Sequence, residues 1–318
     1  MRLVSSGAFV KLLFSASRSV QTPCPQFGPK YLIYHKATAA FPADWPGGFP
    51  GLTSKGWQVL VVDYNNTEDL KFKLAGAHTV ISTVSGTAQL NLIDAAASVD
   101  VRRFVPSEFG GPPTLRPEGD PLDNQHRAAI LKLLQLESRG MSFTVFTCGI
   151  LYERFAPGGS SSSQIAVNSA MGKEGKYILD IRQRRAQLPY NTLEGRSAKI
   201  CLTGARDVAH CIVSALDHPS WPREFRVRGA RMSLRQLILE AEHALNCRFQ
   251  VSQFTRTGLS DAITFARAVR DEAREMQLHH LAATAEGRYD FTDANLNQAV
   301  NHRPEKFRDY LARVWAPA

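Results

Sequence analysis

The sequence predicts an α/β protein. A doubly wound parallel sheet comes first, followed by a smaller, mostly helical C-terminal lobe, with roughly the first 50 residues irregular. Three observations carry this. Between Val59 and Gly111, short apolar runs alternate with helix-length segments, the pattern of parallel strands covered on both faces. Each run ends in a loop of small or polar residues, where a doubly wound sheet opens its ligand crevice. The last third of the chain lacks such runs and carries amphipathic, helical spacing instead.

Taken in order, residues 1–52 stand apart. Met1–Val20 has no acid, is rich in serine and sets Arg2, Lys11 and Arg18 around Phe9, Leu12, Leu13 and Phe14. That composition fits a mitochondrial-type presequence, with a plain surface N-terminal helix as the weaker reading. Residues 22–51 are dense in proline and glycine, and only Lys30–His35 reads as a strand. From residue 53 the pattern is regular. Thr53–Trp57 reads as a helix end stopped by Gly56, and Gln58–Asp63 as the first clear strand. Helix Asn66–Gly76, strand Thr79–Gly86, helix Gln89–Ala97 and strand Arg103–Gly110 follow.

After a proline-rich loop, a helix is expected over Asn124–Ser138 and a buried strand over Ser142–Cys148. Ala198–Thr203 and Phe225–Val227 read as returning strands, and Asp207–Leu216 as a helix opened by an acid. The last helices are placed at Ser233–Asn246, with Ser233 as N-cap, at Thr264–Leu278 and at Asn295–Val314. The expected division is an atypical segment 1–52 and one domain over 53–318. Within that domain, 53–155 forms the sheet core and 156–318 the main part of the lobe.

Composition narrows the function classes. Hydrophobic content of 44% with 21% charged residues is that of an ordinary globule, and no apolar run reaches the ~18 residues of a membrane span. The net charge is +9, but Arg2, Lys11, Arg18, Lys30 and Lys36 all precede the first acid, Asp44. No basic helix carries interleaved aromatics, so nucleic acid is not the expected partner; Arg182–Arg185 is the best local candidate. The five cysteines are scattered, with no C-x-x-C pair and no histidine at ligand spacing. This argues against a disulfide framework and a metal site, and for a reducing compartment such as the cytoplasm.

The series Val80–Gly86, Arg102–Gly110, Ser142–Phe146, Cys148–Phe155 and Arg206–Ala209 resembles the NmrA-like, isoflavone-reductase-like branch of atypical short-chain dehydrogenases, most of all its fungal members. The resemblance spans residues 53–318, and Phe104-Val-Pro-Ser-Glu-Phe-Gly110 is its most specific part. It implies a Rossmann domain that binds NADP, with NAD as the alternative, and a C-terminal substrate lobe. The implied activity is reduction of small aromatic or polyketide-like molecules in secondary metabolism. The other implied role is non-catalytic redox sensing with a protein partner.

Candidate site residues follow from the loops and from the resemblance together. Ser82, Thr83, Val84 and Ser85 lie between a strand and a helix, where backbone amides and small hydroxyls can meet a dinucleotide. Pro106 ends the next strand, and Ser107 and Phe109 reach the crevice where nicotinamide would sit. Related reductases carry a lysine near the start of the following helix; here His126 takes that place, and imidazole serves as acid or base near neutrality. An exposed helix histidine without a role is the competing reading. Tyr152 is a second candidate proton donor, with Phe155, Asn168 and Met171 on the substrate side. One departure stands out. Neither G-x-x-G-x-x-G nor G-x-G-x-x-G occurs in residues 1–60, so the usual phosphate cradle is missing from this sequence. A displaced gene start and a genuine loss of that cradle both account for it.

Overall fold

A computed structural model describes residues 58–166, 169–192 and 195–316, with the backbone alone at 58–59, together with the backbone of two strands nearer the start. The chain divides into two compact units, here the sheet unit and the lobe unit. The expectations at Lys30–His35, for the helix end at Thr53–Trp57 and for Asn168 lie outside the described residues, as does Met1–Val20 apart from Leu12–Leu13, which are a strand and not part of a surface helix.

Within its described residues the sheet unit comprises strands β1 (Leu12–Leu13), β2 (Thr38–Phe41), β3 (Gln58–Val61), β4 (Thr79–Ile81), β5 (Arg103–Val105) and β6 (Ser142–Phe143). Its helices are α1 (Thr67–Leu74), α2 (Thr87–Ser98) and α3 (His126–Leu136). β4, β5 and β6 pair in parallel, with Val80 opposite Phe104 and Phe104 opposite Phe143. β2 is parallel to β3 and antiparallel to β1. The six strands form two three-stranded sheets, ordered β1-β2-β3 and β4-β5-β6, and β1 lies close to β4. Two features depart from expectation: Thr38–Phe41 supplies a strand inside the proline-dense segment, and β1 runs against β2.

The physical reason for these elements is burial on both faces. Val80, Phe104, Leu92, Ile93, Ala95, Ala96 and Leu133 are each 1% exposed or less, so strand runs and helix faces close one apolar core. Asn66 caps α1 by accepting from the Asp69 amide (3.1 Å). The predicted strand over 142–148 is interrupted at Thr144, whose amide still donates to the Phe104 carbonyl (3.1 Å).

The lobe unit contains β7 (Val145–Thr147), β8 (Ile150–Leu151), β9 (Leu179–Asp180), β10 (Arg185–Leu188) and β11 (Lys199–Thr203). Further along come α4 (Ala205–Ala215), β12 (Glu224–Arg226), β13 (Ala230–Ser233), α5 (Leu234–Leu245) and β14 (Gln250–Gln253). The chain then turns helical through α6 (Arg256–Ala268), α7 (Glu272–Ala285), α8 (Asn295–Ala299) and α9 (Phe307–Val314). β11 is parallel to β8 and antiparallel to β13; β10 is parallel to β14 and antiparallel to β9; β12 pairs with β7. Tyr152, Phe155, Tyr177, Leu237, Leu278, Leu281, Phe307 and Leu311 build its core.

Two predicted helices break in this unit. The one placed at 264–278 is interrupted where Arg270 takes a positive φ of 57° and Asp271 caps α7 through the Arg274 amide (3.0 Å). The one placed at 295–314 breaks at Val300, which is extended; Pro304 further on disfavours helical geometry in the residue before it. Ser233 caps α5 as expected, in a reciprocal capping box with Gln236. Among the described residues, no helix is long and apolar enough to cross a membrane, and no three His, Cys, Asp or Glu side chains gather as a metal set.

Candidate functional site

The carboxyl ends of β4 and β5 are neighbours because the strands are paired in register, and each leads into a polar loop. After β4, the Ser82 amide donates to the Val105 carbonyl (2.8 Å) and its hydroxyl donates to the Val84 carbonyl (3.1 Å). Val84 is 6% exposed and packs in the core, while Thr83 and Ser85 beside it are half-buried. Ser85 Oγ accepts from Asn124 Nδ2 (2.9 Å), and the Gly86 amide donates to the Asn124 carbonyl (3.2 Å). Gly86 is the N-cap of α2 with φ 69°, a conformation in which glycine alone is unstrained.

After β5, Pro106 is buried and Ser107 half-buried. The Ser107 amide donates to Gln89 Oε1 at 2.6 Å, so a fully buried glutamine in the first turn of α2 ties the two loops together. Two polar atoms in this region are buried without a partner among the described residues: Thr83 Oγ1 and Gln89 Nε2. Buried donors are normally paired, so these two mark a place where hydrogen-bonding capacity is held unused. His126 is half-buried and opens α3, directly after Gln125, whose φ is 57°.

The sheet unit thus contains Ser82, Thr83, Val84, Ser85, Pro106, Ser107 and His126, with the first loop tied to Ser107 through Gln89. The remaining candidates belong to the lobe unit. Phe109 is half-buried in segment 108–123. That segment is held by Glu108, 3% exposed, which accepts from both Nη atoms of Arg116 (2.6 and 3.4 Å). Arg116 also approaches Asp123 (3.5 Å), and Arg288 pairs with Asp120.

Tyr152 departs from the proton-donor expectation. It is wholly buried between the rings of Phe307 and Tyr310, and its hydroxyl donates to the Glu305 carbonyl (3.0 Å). Burial pushes that hydroxyl well above the usual phenol range. With its proton committed and no exposed surface, Tyr152 fits packing rather than acid catalysis. Phe155 packs edge-on against Phe307, and Met171 is 4% exposed; both lie in the lobe core.

Sequence reasoning missed Gln89 and Asn124. A glutamine at the third position of an otherwise apolar helix start was the available signal for the first. It also missed a buried carboxylate pair. Glu153 accepts the Ala205 amide at 3.0 Å on each oxygen, and burial, with Asp207 adding to it, pushes its carboxyl up to about 7. Asp207 Oδ1 meets His302 Nε2 (2.7 Å) and Oδ2 accepts the Glu305 amide (3.0 Å).

The fold has solved counterparts. The chain is similar to isoflavone reductase, with 14% identity, a TM-score of 0.65 and coverage of 88% of this chain and 91% of that one. It is similar to a structure from the pinoresinol-lariciresinol and phenylcoumaran benzylic ether reductases (15% identity, TM-score 0.63, 86% and 89% covered). The NADPH-dependent quinone oxidoreductase of Escherichia coli is a further likeness (14% identity, TM-score 0.62, 87% and 90% covered). At such identities the likeness establishes the fold. No protein-family model and no curated protein sequence matches the chain.

Proposed function

We propose that this chain is an NAD(P)H-dependent reductase acting on a small aromatic or polyketide-derived ketone or enone in secondary metabolism. The observation that carries the reading is the pair of polar loops at the carboxyl ends of β4 and β5, joined through Gln89, in a doubly wound sheet. Support comes from the fold neighbours, among them the quinone oxidoreductase complexed with NADPH and a structure holding NADP+ and (+)pinoresinol. Buried, unpartnered Thr83 Oγ1 and Gln89 Nε2 suit the hydroxyls and phosphate oxygens of a dinucleotide, so the residues present fit the cofactor.

In this reading Ser82, Thr83, Val84 and Ser85 would hold the cofactor, and Pro106, Ser107 and Phe109 would hold its nicotinamide end. When bound, NADPH supplies the hydride. His126 stands where related reductases carry lysine and delivers the proton to the carbonyl oxygen, a step that contributes about 10²–10⁴-fold when a positioned side chain performs it. Residues 156–318, with Phe155, Asn168 and Met171, form the substrate lobe.

Titrating the full chain with NADPH while following cofactor fluorescence tests this. Saturable binding is expected; no binding at millimolar NADPH removes the reading. With an accepted carbonyl or quinone in hand, His126→Ala is expected to lower kcat by about 10²-fold or more with little change in NADPH affinity. The sealed hydroxyl of Tyr152 favours one further reading, a dinucleotide-sensing protein without turnover. It predicts NADPH binding, no reaction across a carbonyl panel, and a protein partner recovered by pull-down.

A further inference from the structure

Helices α2 and α3 begin side by side. The Asn124 carbonyl accepts the Gly86 amide (3.2 Å), Asn124 Nδ2 donates to Ser85 Oγ (2.9 Å), and Gln125 Nε2 reaches Thr87 Oγ1 (3.4 Å). Their N-caps are Gly86 and Gln125, both at positive φ (69° and 57°). Neither cap gives a side-chain oxygen to its helix, and neither first turn contains an acid. Elsewhere Asn66, Ser233, Thr255 and Asp271 cap α1, α5, α6 and α7 through their side chains. Two uncapped helix starts bring two positive dipole ends together, an arrangement that is unfavourable by itself and is relieved by a negative charge.

A second observation points to a ligand at the same place. Gln89, in the first turn of α2, is fully buried; its Oε1 is taken by the Ser107 amide (2.6 Å), while its Nε2 has no partner among the described residues. The helix-start amides and Gln89 Nε2 are donors, and Asn124 Oδ1 lies beside Gly86 as an acceptor. We infer that the α2–α3 junction binds a phosphate group, the dinucleotide's own if the reductase reading above holds. Donors from two helices and a carboxamide suit a tetrahedral oxyanion, which accepts on several oxygens at once, better than a planar carboxylate. The junction gives a chain without a glycine-rich first turn a phosphate cradle further along its sequence.

Calorimetry on the full chain with inorganic pyrophosphate and, separately, NADPH tests the assignment against two variants, Thr87→Asp and Ala128→Glu. Both positions are exposed and lie in the first turns of α2 and α3. An acid there stabilises a helix, so the free variants should melt at the wild-type temperature or higher. Their affinity for pyrophosphate and NADPH should fall on the order of ten-fold or more, since a fixed negative charge opposes the ligand's. Loss of both ligands in variants that stay folded supports the site and names the dinucleotide as its source. Pyrophosphate binding that the variants weaken, without any NADPH binding to the wild type, supports a site for another phosphate and removes the reductase reading instead. No pyrophosphate binding to the wild type, or variants that bind either ligand as tightly as it does, overturns the inference.

Discussion

Glu153 carries the clearest pH signature at the scale of single residues. Burial raises its carboxyl from 4.5 to about 7, so the folded chain holds a proton there that the unfolded chain has released. The stability tied to that proton is complete below about pH 4.5 and is lost as pH rises through about 7. Glu153→Gln keeps an acceptor for the Ala205 amide and removes the titration. Its stability relative to wild type should therefore improve by about 2 kcal/mol between pH 5 and pH 8, read from urea unfolding at each pH. Gly149 makes a second prediction at this scale. Its φ is 70°, and a Cβ there would strike the Cys201 carbonyl, so Gly149→Ala should cost about 3 kcal/mol or more in thermal unfolding.

At the scale of elements, segment 108–123 is held by charge rather than by secondary structure. Arg116 is 11% exposed and Glu108 2% at the side chain, and Asp120 is 3% exposed beside them. Arg116→Met would remove the guanidinium from which both Glu108 oxygens accept, and a loss of about 3–5 kcal/mol is expected by chemical denaturation. Legibility at this scale followed physical cause. β4 and β5 were readable because near-continuous burial leaves a continuous apolar run. α6 and α7 were read as one helix because Arg270 and Asp271 look helical in composition, and a positive φ at a non-glycine residue leaves no mark in the sequence. β9, β10, β13 and β14 were missed. β14 is exposed along its length and β13 half-buried, so neither shows the alternation a strand usually carries.

Across the whole molecule, the parallel pairing of the runs that form β4 and β5 followed from the sequence, while the candidate site was legible only in part. Its loops were placed by the runs that precede them, but Tyr152 was aimed at substrate from its position alone. What removes it is Glu305, distant in sequence, whose carbonyl takes its proton. Gln89 was overlooked for a similar reason, since its partner Ser107 lies on another strand's loop. A ligand that binds the folded chain alone should raise its unfolding free energy by mass action, about 2.7 kcal/mol at a concentration 100 times Kd. NADPH at that excess should raise the melting temperature of wild type and do so less as salt is added.

Cys148, Cys201 and Cys211 are all buried in the lobe unit, and burial raises each thiol, that of Cys211 to about 12. Alkylating reagents attack the thiolate, so these three sulfurs are silent while the lobe is closed. They become a built-in clock: the speed at which each peptide takes up label from a maleimide pulse reports how often that part of the chain opens, with no cysteine introduced.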